Sequence, residues 1–529
     1  MLCAVTLRTL MGCGILREVV ICAGARNCAL VAALASAPGI RVWHHFEERS
    51  AAFFALGRLL SHERPVAVIT TSGTAVAELL PAIIEAHYQG LPLVALTADR
   101  PAVYRGTGAP QAIEQAGIFG NYPTLSLDVR ELDDLTVIEK WNRNGPLHVN
   151  LCLEEPGAEQ LDWLRHYGAG LVPRKDEDDP PSPAPRACSL PARSDFPDPL
   201  VLVGDLLRSE IPAAVHFLSR LGAPIYAEAA SGLREEPRLR PWLLSGGDAV
   251  LRTIPHRSVI RLGGVPACRF WRDLEDRPSI PVISLTRSGH RGLARECTAF
   301  PVHPLPDWSG DLPDKNRGNP VLPESQAALE ACLQRHSASE PALVRALSSL
   351  IPPESVVFTG NSMPIREWNL CALPDHPCHA RALRGANGID GNLSAFLGLA
   401  ADFEGEAWCL IGDLTALYDL AAPWILPQFS HTPKLRIVVI QNAGGKIFSR
   451  LPALRSLTDY ERRLMENPHR IPLKGWAEQW GLDYHAHHGA LTELPPLPDR
   501  LVLELHPDPG ATEAFWANWA TASRPQPNP

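Results

Sequence analysis

Two short segments in the last third of the chain carry side chains suited to holding a hard cation. The apolar run AWCLI ends in Gly412-Asp413, and Asn442 follows 29 positions after that aspartate, where LRIVVI ends in Gln441-Asn442-Ala443-Gly444-Gly445. Ligands of parallel sheets collect at the carboxyl ends of strands. A carboxylate and an amide arriving there together offer oxygen ligands of the kind Mg²⁺ takes, completed by water and phosphate oxygens. The helical pattern after Asp413 would add an N-terminus favourable to a phosphate. Spacing alone leaves a second reading open, that of two turn-forming residues at strand ends.

Two further segments lie near the start. In His44-His45-Phe46-Glu47-Glu48-Arg49 the acidic pair sits between a strand pattern and a helix pattern, where carboxylates ordinarily cap the helix and oppose its dipole. Thr71-Ser72-Gly73-Thr74 is a small-residue turn that lets a ligand or another chain pack closely. The commoner phosphate and nucleophile loops are missing. No G-x-G-x-x-G follows a strand, Gly12-Cys13-Gly14 precedes one, and neither G-x-x-x-x-G-K-[ST] nor G-x-S-x-G occurs.

Positioning these groups falls to alternating strands and helices. VVIC, NCALVAALAS, RVWHHF, ERSAAFFALGRLL, VAVITT, GTAVAELLPAIIEAHYQG and LVALTAD follow one another from Val19, which predicts right-handed crossovers and a mostly parallel sheet. The same alternation returns with strands at 200–205, 224–228, 258–264 and 281–286, and again at 356–360, 407–413, 435–442 and 501–506. The chain therefore reads as α/β, three tandem parallel-sheet domains. Their bounds are 1–171, 200–320 and 321–520, with a Pro-rich linker at 172–199, another Pro- and Asp-rich connection at 301–325, and a frayed tail at 521–529.

Composition limits what such a chain can do. With 529 residues, 45% apolar and 20% charged, it can bury large cores and is neither disordered nor a coiled coil over most of its length. The 58 acidic residues outnumber 49 basic ones, so no global cationic field draws in nucleic acid, and any anion needs locally placed arginines. Twelve scattered cysteines with no C-x-x-C pair predict reduced thiols. Arg8, Arg17 and Glu18 interrupt the N-terminal apolar stretch, against a signal peptide, and no run of 18 apolar residues predicts a membrane span. The expected compartment is the cytoplasm.

Taken together, FEER, TTSGTA, LTADRP at 96–101, GNSMPIREW at 360–368, RGANGIDG at 384–391, GDLTALYDL and QNAGGKIF resemble the thiamine-diphosphate enzymes, most closely their menaquinone-pathway branch. The similarity runs from about Val19 to Pro452 and is thin in the middle domain. It implies the thiamine-diphosphate-enzyme fold: a pyrimidine-binding domain first, a central Rossmann-like domain without a dinucleotide, and a diphosphate-binding domain last. It also implies thiamine diphosphate and Mg²⁺, or Mn²⁺, as cofactors. A homodimer or homotetramer would share its sites between subunits. The implied reaction is a transferase step: decarboxylation of 2-oxoglutarate and 1,4-addition of the resulting succinyl-semialdehyde carbanion to isochorismate.

By position, Asp413, Asn442 and the carbonyl of Gly444 match the metal ligands, next to Gly412. Glu48 matches the glutamate that contacts the aminopyrimidine ring and relays its proton, with Ser72 nearby. Ile389 matches the apolar wedge under the cofactor, and Ile447 and Phe448 an apolar wall. Both substrates carry two carboxylates, a task for planar, permanently charged donors. Matching positions are Arg26, Arg100, Arg366 and Arg384, with Arg269 in the middle domain and Ser362 and Gln111 as neutral partners. His44, His45 and Glu47 read as structural.

Several positions depart from the family pattern. Ala23-Gly24-Ala25-Arg26-Asn27 replaces Pro-Gly-Ser-Arg-Ser, Pro110 stands where Asn is usual, and Cys268 where Lys is usual. Each loss would weaken carboxylate binding by about 1 kcal/mol. The segment before VVIC reads as too short for the family's first helix. The departures keep open another 2-oxoacid decarboxylase or carboligase, or a catalytically silent binding protein.

Overall fold

The computed structural model describes residues 1–174, 192–302, 305, 323–373, 376, 378–451, 454 and 456–523. Most of the expected linker at 172–199, much of the connection at 301–325 and residues 524–529 of the tail lie outside these. Three sheets carry the chain, and every strand pair in them is parallel. The first contains β1 (Glu18–Ile21), β2 (Arg41–His44), β3 (Val66–Thr70), β4 (Leu93–Asp99), β5 (Leu125–Val129) and β6 (Leu147–Cys152), in the order β2-β1-β3-β4-β6-β5.

The second sheet contains β7 (Pro199–Val203), β8 (Ile225–Ala227), β9 (Ser258–Leu262), β10 (Val282–Leu285) and β11 (Thr298–Phe300), in the order β11-β10-β9-β7-β8. The third contains β12 (Val356–Thr359), β13 (His379–Arg381), β14 (Glu406–Gly412), β15 (Lys434–Ile440), β16 (Asp483–His488) and β17 (Arg500–His506), in the order β13-β12-β14-β15-β17-β16. The three-sheet α/β class agrees with the strand–helix alternation.

The chain divides into two compact units. One holds Met1–Ala184 with Leu393–Asp402 and Ala421–His431, and the other holds the remainder. Most strand residues are fully buried apolar side chains, as sheets covered on both faces require. The described cysteines are all free thiols. No helix among the described residues is long and apolar enough to cross a membrane.

One expectation is corrected at the N-terminus. Leu2–Gly12 forms a helix ahead of β1, burying Cys3, Ala4, Leu7, Leu10 and Met11. That helical spacing, set in a sequence of strong helix formers, makes up the element expected to be missing.

The helix Glu48–His62 is buried all round from Ser50 to Leu60. Glu47 is its N-cap and accepts the backbone N–H groups of Arg49 and Ser50, each at 3.0 Å. Within the same unit, helix residues 393–400 approach it without side chains between. A Cβ on Gly57 would lie 1.9 Å from the carbonyl oxygen of Ala395, and one on Gly398 2.1 Å from that of Phe54. Only glycine allows this approach at both positions.

Arg58, 2% exposed, locks the contact. It donates to Glu18 Oε1 at 2.6 Å and to the Gly398 carbonyl at 3.2 Å, and it pairs with Asp402. Glu18 also accepts from Trp43 Nε1 at 2.5 Å and lies 2.8 Å from His62 Nε2. Burial pushes the Glu18 carboxyl up, but hydrogen bonding to His62 and the Arg58 charge outweigh it and bring it down from 4.5 to about 2.

A carboxylate depressed in the folded state stabilises above its unfolded pKa, and that contribution is lost as pH falls through the folded value. Glu18 should therefore supply about 3 kcal/mol at neutral pH, lost between about pH 4.5 and 2. The prediction is that Glu18→Gln melts well below wild type at pH 7 and that the gap narrows as pH falls toward 2. Melting curves of both proteins across that range test it, and a gap independent of pH would contradict it.

Candidate active site

In the first unit, Glu48 opens the helix that follows β2, and Thr71-Ser72 follow β3, its second neighbour in the sheet. Glu47, Glu48, Thr71, Ser72, Thr74, Ala75, Glu78 and Gln111 line one hollow. The hydroxyls of Thr70, Thr71 and Ser72 are buried with no hydrogen-bond partner among the described residues. Burial raises the Glu48 carboxyl above the ordinary carboxylate range, its own backbone N–H opposes this, and the charges of Glu47 and Glu78 add to it. A carboxyl of raised proton affinity in the same hollow as unsatisfied hydroxyls suits a flat polar ring.

Backbone geometry forms this hollow. Gly73 has φ +91°, its N–H donates to Gln115 Oε1 at 3.1 Å, and a Cβ there would press on Gln111 at 3.3 Å. Gln115, fully buried, anchors the turn by donating to the Ala98 carbonyl and to Asn150. His45 is held structurally: its Nδ1 accepts the Glu47 N–H at 3.0 Å, and burial lowers it to about 4.

In the second unit, β14 and β15 run in register with Gly412 opposite Ile440, which sets Asp413 and Asn442 just beyond adjoining strand ends. Asp413 is 2% exposed. Its carboxylate accepts from the N–H groups of Leu414 at 2.7 Å and Gly444 at 3.0 Å. Burial pushes it up, against those amides and the nearby His469, whose Nε2 lies 3.2 Å away. Asn442 Oδ1 is buried with no partner among the described residues. A buried carboxylate and an amide oxygen without a partner among the described residues, carried just beyond adjoining strand ends, are a donor set for a hard divalent cation. The helix Asp413–Tyr418 is only six residues long, so the expected phosphate-binding N-terminus belongs to a helix of under two turns.

The loop after Asn442 is fixed by strain and close packing. Ala443 has φ 62° and Gly444 φ 128°, and a Cβ on Gly444 would lie 2.5 Å from the Glu466 carbonyl. Gly445 N–H donates to that same carbonyl at 2.7 Å, and Lys446 Nζ pairs with Glu466 at 2.7 Å. Ile447 and Phe448 sit half-buried in the turn that follows.

Ile389 is likewise half-buried, in a pinned loop. Asn361 Nδ2 and Asn392 Nδ2 both donate to the Gly388 carbonyl, at 2.7 and 3.1 Å, and Gly391 N–H donates to Asp419 at 2.9 Å. Arg384 belongs to this network: it is 6% exposed, donates to Asn361 Oδ1 at 2.6 Å, and its Nε has no partner among the described residues. Arg366 is exposed and donates to the Ser362 carbonyl at 2.5 Å, where Ser362 holds φ 74°.

The other expected carboxylate-binding groups are dispersed. Arg26 is buried and paired with Glu155 at 2.8 Å and the Leu153 carbonyl at 3.1 Å. Arg100 Nε donates to the Pro110 carbonyl at 2.8 Å, a backbone contact indifferent to the Asn-to-Pro departure. Gln111 is exposed, with φ 58°. Arg269 is exposed and pairs with Asp273 at 2.8 Å. Cys268 is buried, which pushes its thiol well above the ordinary value, so it offers no substitute for a cation.

Three groups near these residues were not singled out in the sequence. His469 faces Asp413, Glu340 faces Asn442, and Glu228 faces Arg384 and Arg366. Burial pushes the Glu228 carboxyl up to about 7 against those two arginines and the Ala267 and Cys268 amides. Each is brought in from a remote part of the chain, and no local pattern marks it.

Residues 4–118 match the sequence profile of the thiamine pyrophosphate enzyme, N-terminal TPP binding domain. Among curated relatives, the 2-succinyl-5-enolpyruvyl-6-hydroxy-3-cyclohexene-1-carboxylate synthase of Akkermansia muciniphila is 41% identical, with 96% of each chain covered. Synthases of the same name from Bdellovibrio bacteriovorus and Geobacillus kaustophilus are 37% and 34% identical, covering 95% and 84% of this chain and 95% and 83% of theirs. A solved benzoylformate decarboxylase from Polynucleobacter necessarius matches with TM-score 0.65 over 96% of this chain and 98% of that one, at 14% identity, a likeness of fold.

The Gly444 geometry gives a direct test. Gly444→Ala should lower stability by about 1–3 kcal/mol, because the alanine methyl meets a fixed carbonyl at a φ that L residues avoid. Thermal melting measures it, and an unchanged midpoint would contradict the described loop.

Proposed function

The chain belongs to the 2-succinyl-5-enolpyruvyl-6-hydroxy-3-cyclohexene-1-carboxylate synthase family, and on that premise we propose that it decarboxylates 2-oxoglutarate and adds the remaining four-carbon unit to isochorismate. The observation that carries the proposal is that adjoining strand ends bear the buried Asp413 carboxylate and an Asn442 Oδ1 with no partner among the described residues, the donor set a diphosphate-bound Mg²⁺ or Mn²⁺ needs. Asp413, Asn442 and the Gly444 carbonyl would hold that cation, next to Gly412. Thiamine diphosphate, when bound, supplies a nucleophilic carbon and a sink for the electrons released with CO₂.

The chain's own groups then divide the remaining work. Glu48 holds a proton at its carboxyl oxygen and exchanges it with the pyrimidine ring, a role its raised proton affinity favours. Ser72 lies in the same hollow, its hydroxyl without a partner among the described residues. Ile389, on its pinned loop, gives shape without charge, and Ile447 and Phe448 exclude water. Arg384 offers a carboxylate an Nε that has no partner among the described residues, with Arg366, Arg100, Ser362 and Gln111 as further donors. Arg26 contributes only by exchanging Glu155 for substrate, and Arg269 acts from the periphery.

The domains at 1–171, 200–320 and 321–520 would serve as the pyrimidine-binding, central and diphosphate-binding domains. The working form would be a cytoplasmic homodimer or homotetramer with sites shared between copies.

Purified protein incubated with Mg²⁺, thiamine diphosphate, 2-oxoglutarate and isochorismate should consume isochorismate, followed by absorbance, only when 2-oxoglutarate is present. Consumption without it, or none with it, rejects this substrate pair. Glu48→Gln should keep the fold and lose about 10²–10⁴-fold in turnover. Unchanged turnover would remove Glu48 from the reaction.

A further inference from the structure

Asn442 Nδ2 donates to Glu340 Oε2 at 3.0 Å, across 102 residues of sequence. Glu340 is 2% exposed and opens the helix Glu340–Leu350. Its position is set independently of Asn442. The N-cap Ser339 accepts the Ala342 N–H, and the Glu340 backbone N–H donates to Thr512 Oγ1 at 3.0 Å. The carboxylate therefore arrives at Asn442 from a rigid frame.

The two ends of an asparagine amide have nearly the same shape, and half a turn exchanges them. Which end faces a cation is decided by what the other end meets. Glu340 Oε2 accepts from Nδ2, and that contact turns Oδ1 to the opposite side. Oδ1 is buried there with no partner among the described residues. We propose that Glu340 is the positioning residue of the cation site, orienting Asn442 so that its oxygen rather than its nitrogen meets the metal. This rests on reading Asn442 as a metal ligand.

Partners of this kind, one shell out from the metal, are commonly worth 10–100-fold in affinity. Mn²⁺ binding to the whole protein in the presence of thiamine diphosphate, followed by the electron paramagnetic resonance of free Mn²⁺, reads the effect directly. Glu340→Met keeps the volume and removes the acceptor, and circular dichroism with the melting midpoint establishes that the variant is folded before binding is read. Glu340→Ala is the second acceptor-free variant should Met misfold.

Acceptor-free variants should bind Mn²⁺ about 10–100-fold more weakly, and saturating Mn²⁺ should restore turnover with KM for isochorismate unchanged. Glu340→Gln keeps an accepting oxygen and should bind within a few fold of wild type. Wild-type affinity in a folded acceptor-free variant overturns the proposal, and so does an equal loss in Met and Gln. Asp413→Asn separates the two levels. If it leaves Mn²⁺ affinity unchanged, the metal-site reading fails. If it weakens binding while Glu340→Met does not, only the positioning role fails.

Discussion

Parallel pairing is the constraint on which the other features depend. Within a sheet of parallel strands all carboxyl ends fall on one edge, so whatever follows each strand collects there without further design. In the first sheet that edge receives Glu48 after β2, Thr71 and Ser72 after β3, and Arg100 after β4. In the third it receives Ser362 and Arg366 after β12, Arg384 after β13, Asp413 after β14, and Asn442 and Gly444 after β15. Strands lie about 4.8 Å apart, which is the spacing needed to bring a carboxylate and an amide to one ion. A slip of one residue between β14 and β15 would exchange the side chains packed on the two buried faces, so the core enforces the register that sets the donors.

Holding polar groups at such an edge costs free energy that the surrounding packing offsets. Buried oxygens at Asn442 and Ser72 with no partner among the described residues, and positive φ at Ser362 and Ala443, are each unfavourable taken singly. They persist because the loops that bear them are over-determined: Gly388 is held by two asparagines, and Gly444 is wedged against the Glu466 carbonyl. In the first unit the helix that starts with Glu48 is fixed by the glycine contacts at Gly57 and Gly398 and by Arg58. Removing side-chain freedom along a helix is how its first residue acquires a defined place.

Apolar strands were legible in the sequence, and polar ones were not. LVALTAD coincides with β4, and the other apolar runs fall within a residue or two of their strands. β16, DYHAHH, escaped notice because an edge strand can be polar, and β11 and β13 because TAF and HAR offer no apolar run, unlike the equally short IYA of β8. β6, LHVNLC, is buried yet contains His148 and Asn150, which are satisfied laterally by Thr97 and Asp99. The Glu47-Glu48 pair read locally as a cap, and Glu47 is that cap. Glu340, Glu228 and His469 could not be found, since each meets its partner only through folding.

Diffraction from crystals grown with thiamine diphosphate and Mn²⁺, recorded at the manganese absorption edge, tests the central claim most directly. An anomalous peak about 2.1–2.3 Å from an Asp413 carboxylate oxygen, Asn442 Oδ1 and the Gly444 carbonyl is the result the account requires. A peak held by other residues, or diphosphate bound with no metal at Asp413, would contradict it.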